Sequence, residues 1–228
     1  MYLSSWTIYP IYIINLRKNM RHQIQILQNI VARKGSSKIL TFSIPHVFKA
    51  LQLLNSDKFV SRSKFCKDLH LGEGAIKTLI LHLKEVKMVD TTKSGTFLTS
   101  KGKKFSESLF RIIPKECKLK KCKIAPNKNN HAIILKNYSF AIKTGLEQRD
   151  YAILYGSSGC ITLLYKNNQF IFPGEEIECL EEDPTTRKLI IDNLNPSEGD
   201  VIIISSSNDP FVAEVSAKNS ALWTLATS

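Results

Sequence analysis

Between residues 42 and 112 apolar positions recur at spacings of three, four and seven, and each run is stopped by turn residues. Ser43 is placed to cap a helix whose first turn holds Pro45, where no amide partner is needed, and Val47, Ala50, Leu51 and Leu54 form its face. Asn55-Ser56-Asp57 ends it, and Phe59-Val60 reads as a short strand. Ser61 caps a second helix with Phe65, Cys66 and Leu69 inward, and His70-Leu71-Gly72 is the turn after it. In the third helix Ile76, Leu79, Ile80 and Leu83 bury one stripe. The opposite stripe is Gly74, Lys77, Thr78 and Leu81, with His82 and Lys84 beside it. Residues 88–92 and 96–98 read as a hairpin around Lys93-Ser94-Gly95. Thr99 caps a last helix bearing Phe105, Leu109 and Ile112, with Lys101, Lys103 and Lys104 in its first turn.

The flanks are less regular. Residues 20–34 carry Ile24, Leu27, Ile30 and Val31 at helical spacing until Gly35-Ser36-Ser37 breaks the run. A single amphipathic stripe serves equally to pair with a second copy or to pack on its own domain. The apolar opening, residues 1–16, is shorter than the roughly 20 residues that cross a bilayer, and it lacks the charged start and cleavage site of a signal peptide. Pro10 and the β-branched residues predict an extended strand or loose arm there, and Met20 is an alternative start. The lysine-rich stretch 113–130 reads as a hinge-like linker with an extra phosphate contact, or as a solvated linker or an edge strand protected by lysines. The pattern then mixes periods: a strand over 132–135, a helix over 145–156 closed by Gly156-Ser157-Ser158-Gly159, and a hairpin of 160–165 with 169–172 around Asn167-Asn168. An acidic loop follows at 175–183, then a helix or strand at 185–194 and a buried strand at 201–205. Asp209 and Pro210 open a final helix with Val212, Val215, Ala217 and Leu222. The expected class is α+β: an arm and helix (1–36), a helical unit with a hairpin (37–112), a basic linker (113–130) and a small α/β sandwich with helices on a sheet (131–228).

Charge sharpens this division. Residues 1–125 hold 24 Lys+Arg against 7 Asp+Glu, whereas 126–228 hold 8 against 13, within a chain of net charge +12. A basic half joined to an acidic half suits a polyanion-binding module plus one with another task, although lysine-rich proteins are also encoded by AT-rich genomes for no such reason. The cysteines, Cys66, Cys117, Cys122, Cys160 and Cys179, are odd in number and contain no CxxC pair, so no disulfide or zinc framework is implied and a reducing cytoplasm fits.

Two runs carry a resemblance. SRSKFCKDLHLGEGAIKTLILHLKEVKMV is similar to the short helix, turn, recognition helix and strand of winged helix-turn-helix transcription regulators, and GTFLTSKGKKF to their wing strand and following helix start. The resemblance covers about a third of the chain. It implies a DNA-binding regulator with the polar stripe of the third helix in the major groove. Leu81 departs from it, since the family often has Arg or Lys there, and some winged helices bind protein or RNA instead. A third run, GLEQRDYAILYGSSGCITLLYKNNQFIFPG, resembles the C-terminal half of an uncharacterised group of archaeal two-domain winged-helix proteins, and brings no ligand with it.

On that basis the candidate double-stranded-DNA contacts are Lys77, Thr78, His82, Gly74, Leu81 and Lys84 on the third helix, and Ser61, Arg62 and Lys64 at the start of the second, where amides and helix dipole favour a phosphate. Lys93 and Thr96 on the hairpin and Lys101, Lys103 and Lys104 after it complete the set. The competing reading of each is a solvated helix face. In the acidic half, Arg149-Asp150, Ser157-Ser158 and Ser205-Ser206 with Asp209 are candidates for an anionic small-molecule effector. Against that, Arg149 and Asp150 read equally as a helix-surface pair and Asp209 as a cap. No GxSxG, HExxH, P-loop or GxGxxG occurs, and the histidines are scattered without carboxylates at ligand spacing, so neither an enzyme nor a cofactor or metal is expected. The whole reads as a cytoplasmic regulator, dimeric because paired half-sites match a two-fold operator, with an effector-sensing or dimerising second half. The alternative is a winged-helix protein-interaction module of the transcription machinery.

Overall fold

The computed structural model describes residues 5–32 and 40–228, with side chains from residue 13 onward. The chain is mixed α/β, with a helical N-terminal part and a sheet-bearing C-terminal part. Helix α1 (Ser5–Ile30) replaces the extended arm expected for the opening. The β-branched residues and Pro10 are outweighed by the stripe that follows, in which Leu16, Met20, Ile24, Leu27 and Ile30 repeat at helical spacing and face the core. The Gly35-Ser36-Ser37 break lies outside the described residues.

Helix α2 (Ile44–Ser56) starts at Ser43 and buries Val47, Ala50, Leu51 and Leu54, as the spacing predicts. Helix α3 (Arg62–Leu69) is capped by Ser61, whose Oγ accepts from the Lys64 amide. His70 then takes a left-handed conformation, φ 53°, which turns the chain into α4 (Glu73–Glu85). Strands β1 (Val89–Thr92) and β2 (Gly95–Leu98) pair antiparallel, and Val60 bridges to Thr96 at their side. Gly95 is required there: its φ is +135°, and a Cβ would fall 2.8 Å from the Val60 carbonyl oxygen. Thr99 caps α5 (Ser100–Ile112), accepting from the Gly102 amide.

The second part is one antiparallel sheet. Strands β3 (Glu116–Leu119), β4 (Asn129–Leu135), β5 (Gly159–Lys166), β6 (Gln169–Ile171) and β7 (Val201–Ser207) lie in the order β3-β4-β7-β5-β6. Part of the basic stretch expected as a linker is thus an edge strand, with Cys117 opposite Ala132 and Lys118 opposite His131. Lysines on an exposed edge discourage pairing with another chain. Helices α6 (Leu146–Ile153) and α8 (Pro210–Thr227) cover one face, and α7 (Pro184–Leu194) the other; residues 185–194 are therefore helical. Alternation along the central strands divides the core: Ile133, Leu135, Val201 and Ile203 face α8, while Ala132, Ile134, Ile202 and Ile204 face the α7 side.

Helix α8 joins the two parts. It packs on α1, α2 and the sheet, and its Ala217, Ala221, Leu222 and Leu225 share one apolar cluster with residues of α1 to α5. At its first turn Phe211 stacks on His70, centroids 4.0 Å apart and nearly coplanar, and lies beside His46. Further along, Lys218 is fully buried; its Nζ donates to both carboxylate oxygens of Glu116 and to Glu214 Oε1 (2.8 Å), while Glu214 Oε2 accepts from Lys49 Nζ of α2 (2.7 Å). Among the described residues, no helix is long and apolar enough to cross a membrane.

Candidate nucleic-acid interface

Among the described residues, nothing covers the outer stripe of α4. Gly74, Lys77 and Lys84 are exposed and Leu81 is 55% exposed, whereas Ile76, Leu79, Ile80 and Leu83 face the core. This helix packs chiefly on α3, β1 and α1, and the acidic half does not reach its polar side. A Cβ at Gly74 would meet nothing within 4 Å, so the helix start is open to a bulky approach. Thr78 is half-buried and its Oγ1 donates back to the Gly74 carbonyl (3.0 Å).

Neighbouring elements extend this face. Lys84 Nζ lies 2.9 Å from Asp90 Oδ1 and donates to Thr91 Oγ1 (3.1 Å), which ties α4 to the hairpin. The bond holds the Asp90 carboxyl below the usual carboxylate range. At the α3 start, Lys64 lies 3.1 Å from Asp68 and 3.8 Å from Asp57, and the Asp68 bond raises its pKa. Lys64 and Lys84 are thus each already held in a surface ion pair, which is weak. Arg62, Lys77, Lys93, Lys103 and Lys104 are exposed and form no ion pair among the described residues. Lys101 is exposed too, and its Nζ donates to the Val86 carbonyl (2.8 Å), closing the end of α4. Lys87, exposed with φ 60° just after α4, adds a cation that helical spacing did not signal, because it stands outside the helix.

Two of the expected contacts are misplaced. His82 is buried: its Nδ1 lies 2.6 Å from the Ile30 carbonyl, and its ring meets Phe42 edge-on at 5.8 Å. It joins α4 to the end of α1 and does not face solvent; the apolar stripe is wider than four residues because α1 needs a seat. Thr96 is buried under the Val60 bridge, so of the two hairpin candidates Lys93 alone stays exposed.

The effector candidates are not brought together as a receptor. Ser205 Oγ donates to Ser157 Oγ (2.9 Å), both Ser157 and Ser158 hydroxyls donate to the Ser206 carbonyl, and Ser206 Oγ donates to Asn130 Oδ1. Ser157, Ser205 and Ser206 are buried and spend their hydrogen bonds on holding the Gly156-to-Gly159 turn against β7. Asp209 accepts from the Phe211 and Val212 amides, which is a helix cap. Arg149 and Asp150 sit on the outer face of α6, away from the serines. Among the described residues no group of three or more His, Cys, Asp or Glu is placed to hold a metal. Burial pushes the Cys160 and Cys179 thiols up to about 12 and Cys117 to about 11, which keeps them protonated at neutral pH.

Residues 126–225 match a family described as a domain of unknown function, DUF4443. The chain is also similar to a solved structure described as a hypothetical protein from Pyrococcus horikoshii OT3: 27% sequence identity, a TM-score of 0.63, and coverage of 79% of this chain and 91% of that one. That share is larger than the family match, so the likeness takes in helical N-terminal residues as well as the sheet. No curated protein matches the chain.

Proposed function

We propose that residues 42–112 are a winged helix-turn-helix that binds double-stranded DNA, with α4 as the recognition helix and the β1–β2 hairpin as the wing, in a transcription regulator that acts as a dimer. The observation that carries this is the uncovered outer side of α4, where Lys77 and Lys84 stand beside a basic α3 start and hairpin. A helix fits the major groove, and lysines around it neutralise phosphates. Leu81 on that side contacts a thymine methyl or the groove wall, not a phosphate. The buried positions of His82 and Thr96 leave Arg62, Lys77, Lys93, Lys103 and Lys104 as the residues expected to give most of the salt dependence.

Fluorescence polarisation of the purified chain against a mixed-sequence duplex tests it. Binding weakens steeply with salt, the log–log slope being about −0.9 per phosphate contacted. K77A and R62A each reduce the slope by about one contact and weaken binding. Absence of duplex binding at low salt, or a flat salt dependence, overturns the reading.

One observation favours a protein-interaction role instead. An open groove of about 640 Å³ between the end of α2, the hairpin and α5 exposes Phe59 and Phe97 beside Lys58 and Lys103. If duplex affinity is unchanged by K77A but the chain holds RNA polymerase subunits through F59A-sensitive contacts, this second role is the correct one.

A further inference from the structure

We infer that the outer face of α6 is a two-fold contact through which a second copy of this chain docks, with the two α6 helices antiparallel. The inner face of this helix is fixed: Gln148 Nε2 donates to Thr224 Oγ1 (3.1 Å), the Gln148 carbonyl accepts from Ser220 Oγ (2.7 Å), and the Tyr151 carbonyl accepts from Asn219 Nδ2 (2.7 Å). The outer face carries large apolar side chains where a soluble helix is ordinarily polar. Leu146 is 55% exposed, Ile153 43% and the capping residue Leu154 76%, and no element among the described residues covers them. Between them sit Arg149 and Asp150, both exposed and neither ion-paired among the described residues.

The order of these residues is what selects the occupant. The midpoint of Leu146–Ile153 falls between Arg149 and Asp150. A two-fold axis there sets Leu146 against Ile153 of the second copy and Arg149 against its Asp150, with the exposed Leu154 at the rim. Every pair then occurs twice, as an isologous interface demands. A partner of any other sequence needs no such palindrome. The few side chains each copy contributes fall far short of the roughly 20–30 residues a side of a standard interface, so the association is weak and gains from two linked DNA half-sites. The inference gives the proposed dimer its contact surface, and it is tested without DNA so that its failure is distinguishable from a failure to bind DNA.

Sedimentation velocity of the full chain from about 1 to about 300 μM at low salt shows a reversible monomer–dimer equilibrium, in the range expected of small interfaces. R149D places two acidic residues opposite two more and weakens association by about tenfold or more; D150R does the same with the opposite sign. The double exchange, R149D with D150R, restores opposite charges across the axis and recovers the wild-type constant to within about threefold. L154E abolishes the dimer. All these side chains are exposed, so far-UV circular dichroism and thermal midpoints stay at wild-type values. A monomer at every concentration, or a dimer indifferent to R149D and L154E, overturns the inference. So does a double exchange that associates no better than R149D alone.

Discussion

Lys218 has no exposed surface, yet two carboxylates converge on its Nζ. Attraction to Lys218 and His131 overcomes burial and holds the Glu116 carboxyl far below its ordinary range, and Lys218 and Lys49 lower that of Glu214. Removing the ammonium leaves Glu214 with Lys49 alone and Glu116 with only His131 beside it. K218A is therefore expected to lower the unfolding free energy by about 3–5 kcal/mol, read by urea denaturation. Both glutamates are depressed in the folded state, so their contribution is present above about pH 4.5, the ordinary glutamate value, and is lost as pH falls below it. His82 makes the complementary case. H82A loses the bond to the Ile30 carbonyl and is expected to cost about 2 kcal/mol of stability while the folded protein keeps its duplex affinity, the reverse of K77A. A histidine on the border of an apolar stripe gives no sign in the sequence of which side it takes; the partner that decides it, Ile30, is 52 residues away.

At the level of elements, helices with a cap and a regular stripe were legible from α2 to α5, because local hydrogen bonding and spacing determine them. What local pattern could not show was tertiary assignment. The lysines of β3 suit a linker or a protected edge strand equally, and only the edge that β4 offers decides for the strand. Thr96 alternates correctly for a hairpin but is covered by Val60. The serines around 157 and 205 resemble an anion nest until their hydroxyls are seen to satisfy one another. The contact of α2 with α8 has its own pH signature. The Ser43 amide donates to His46 Nδ1 (3.3 Å), and Ser43 Oγ lies 2.8 Å from it. Burial first, then Lys49 and His70, lowers the His46 pKa from 6.5 to about 4. The unfolded chain takes up the proton first, so stability from the neutral ring is intact above about pH 6.5 and lost as pH falls toward 4, at up to about 1.4 kcal/mol per pH unit. H46Q keeps a side chain suited to a capping box and removes the titration. Its unfolding free energy, measured from pH 7 to 5, should vary less than that of the wild type.

For the whole molecule, the charge asymmetry between the halves does not coincide with the change from helices to sheet, because the edge strand β3 lies in the basic half, and it does not reveal that the two cores are continuous. Met20, Phe48, Ile76, Leu109, Ile203 and Leu222 all belong to one cluster. Calorimetry is accordingly expected to give one unfolding transition, with van't Hoff and calorimetric enthalpies equal; two separable transitions would mean that α8 does not bind the parts into one unit. The composition of α8 adds a last consequence. Its inward residues include Ala213, Ser216, Ala217, Ser220 and Ala221, a smooth surface on which small side chains interlock little. Such a rod tolerates axial slippage unless something indexes it. The Glu214–Lys218 pair of α8 acts as a detent pin through its two links to other elements, Lys218 to Glu116 of β3 and Glu214 to Lys49 of α2: sliding by one turn, about 5.4 Å, would break both. The pitch of α8, and with it the seat of Phe211 on the His70 turn ahead of α4, is thereby locked to a single notch.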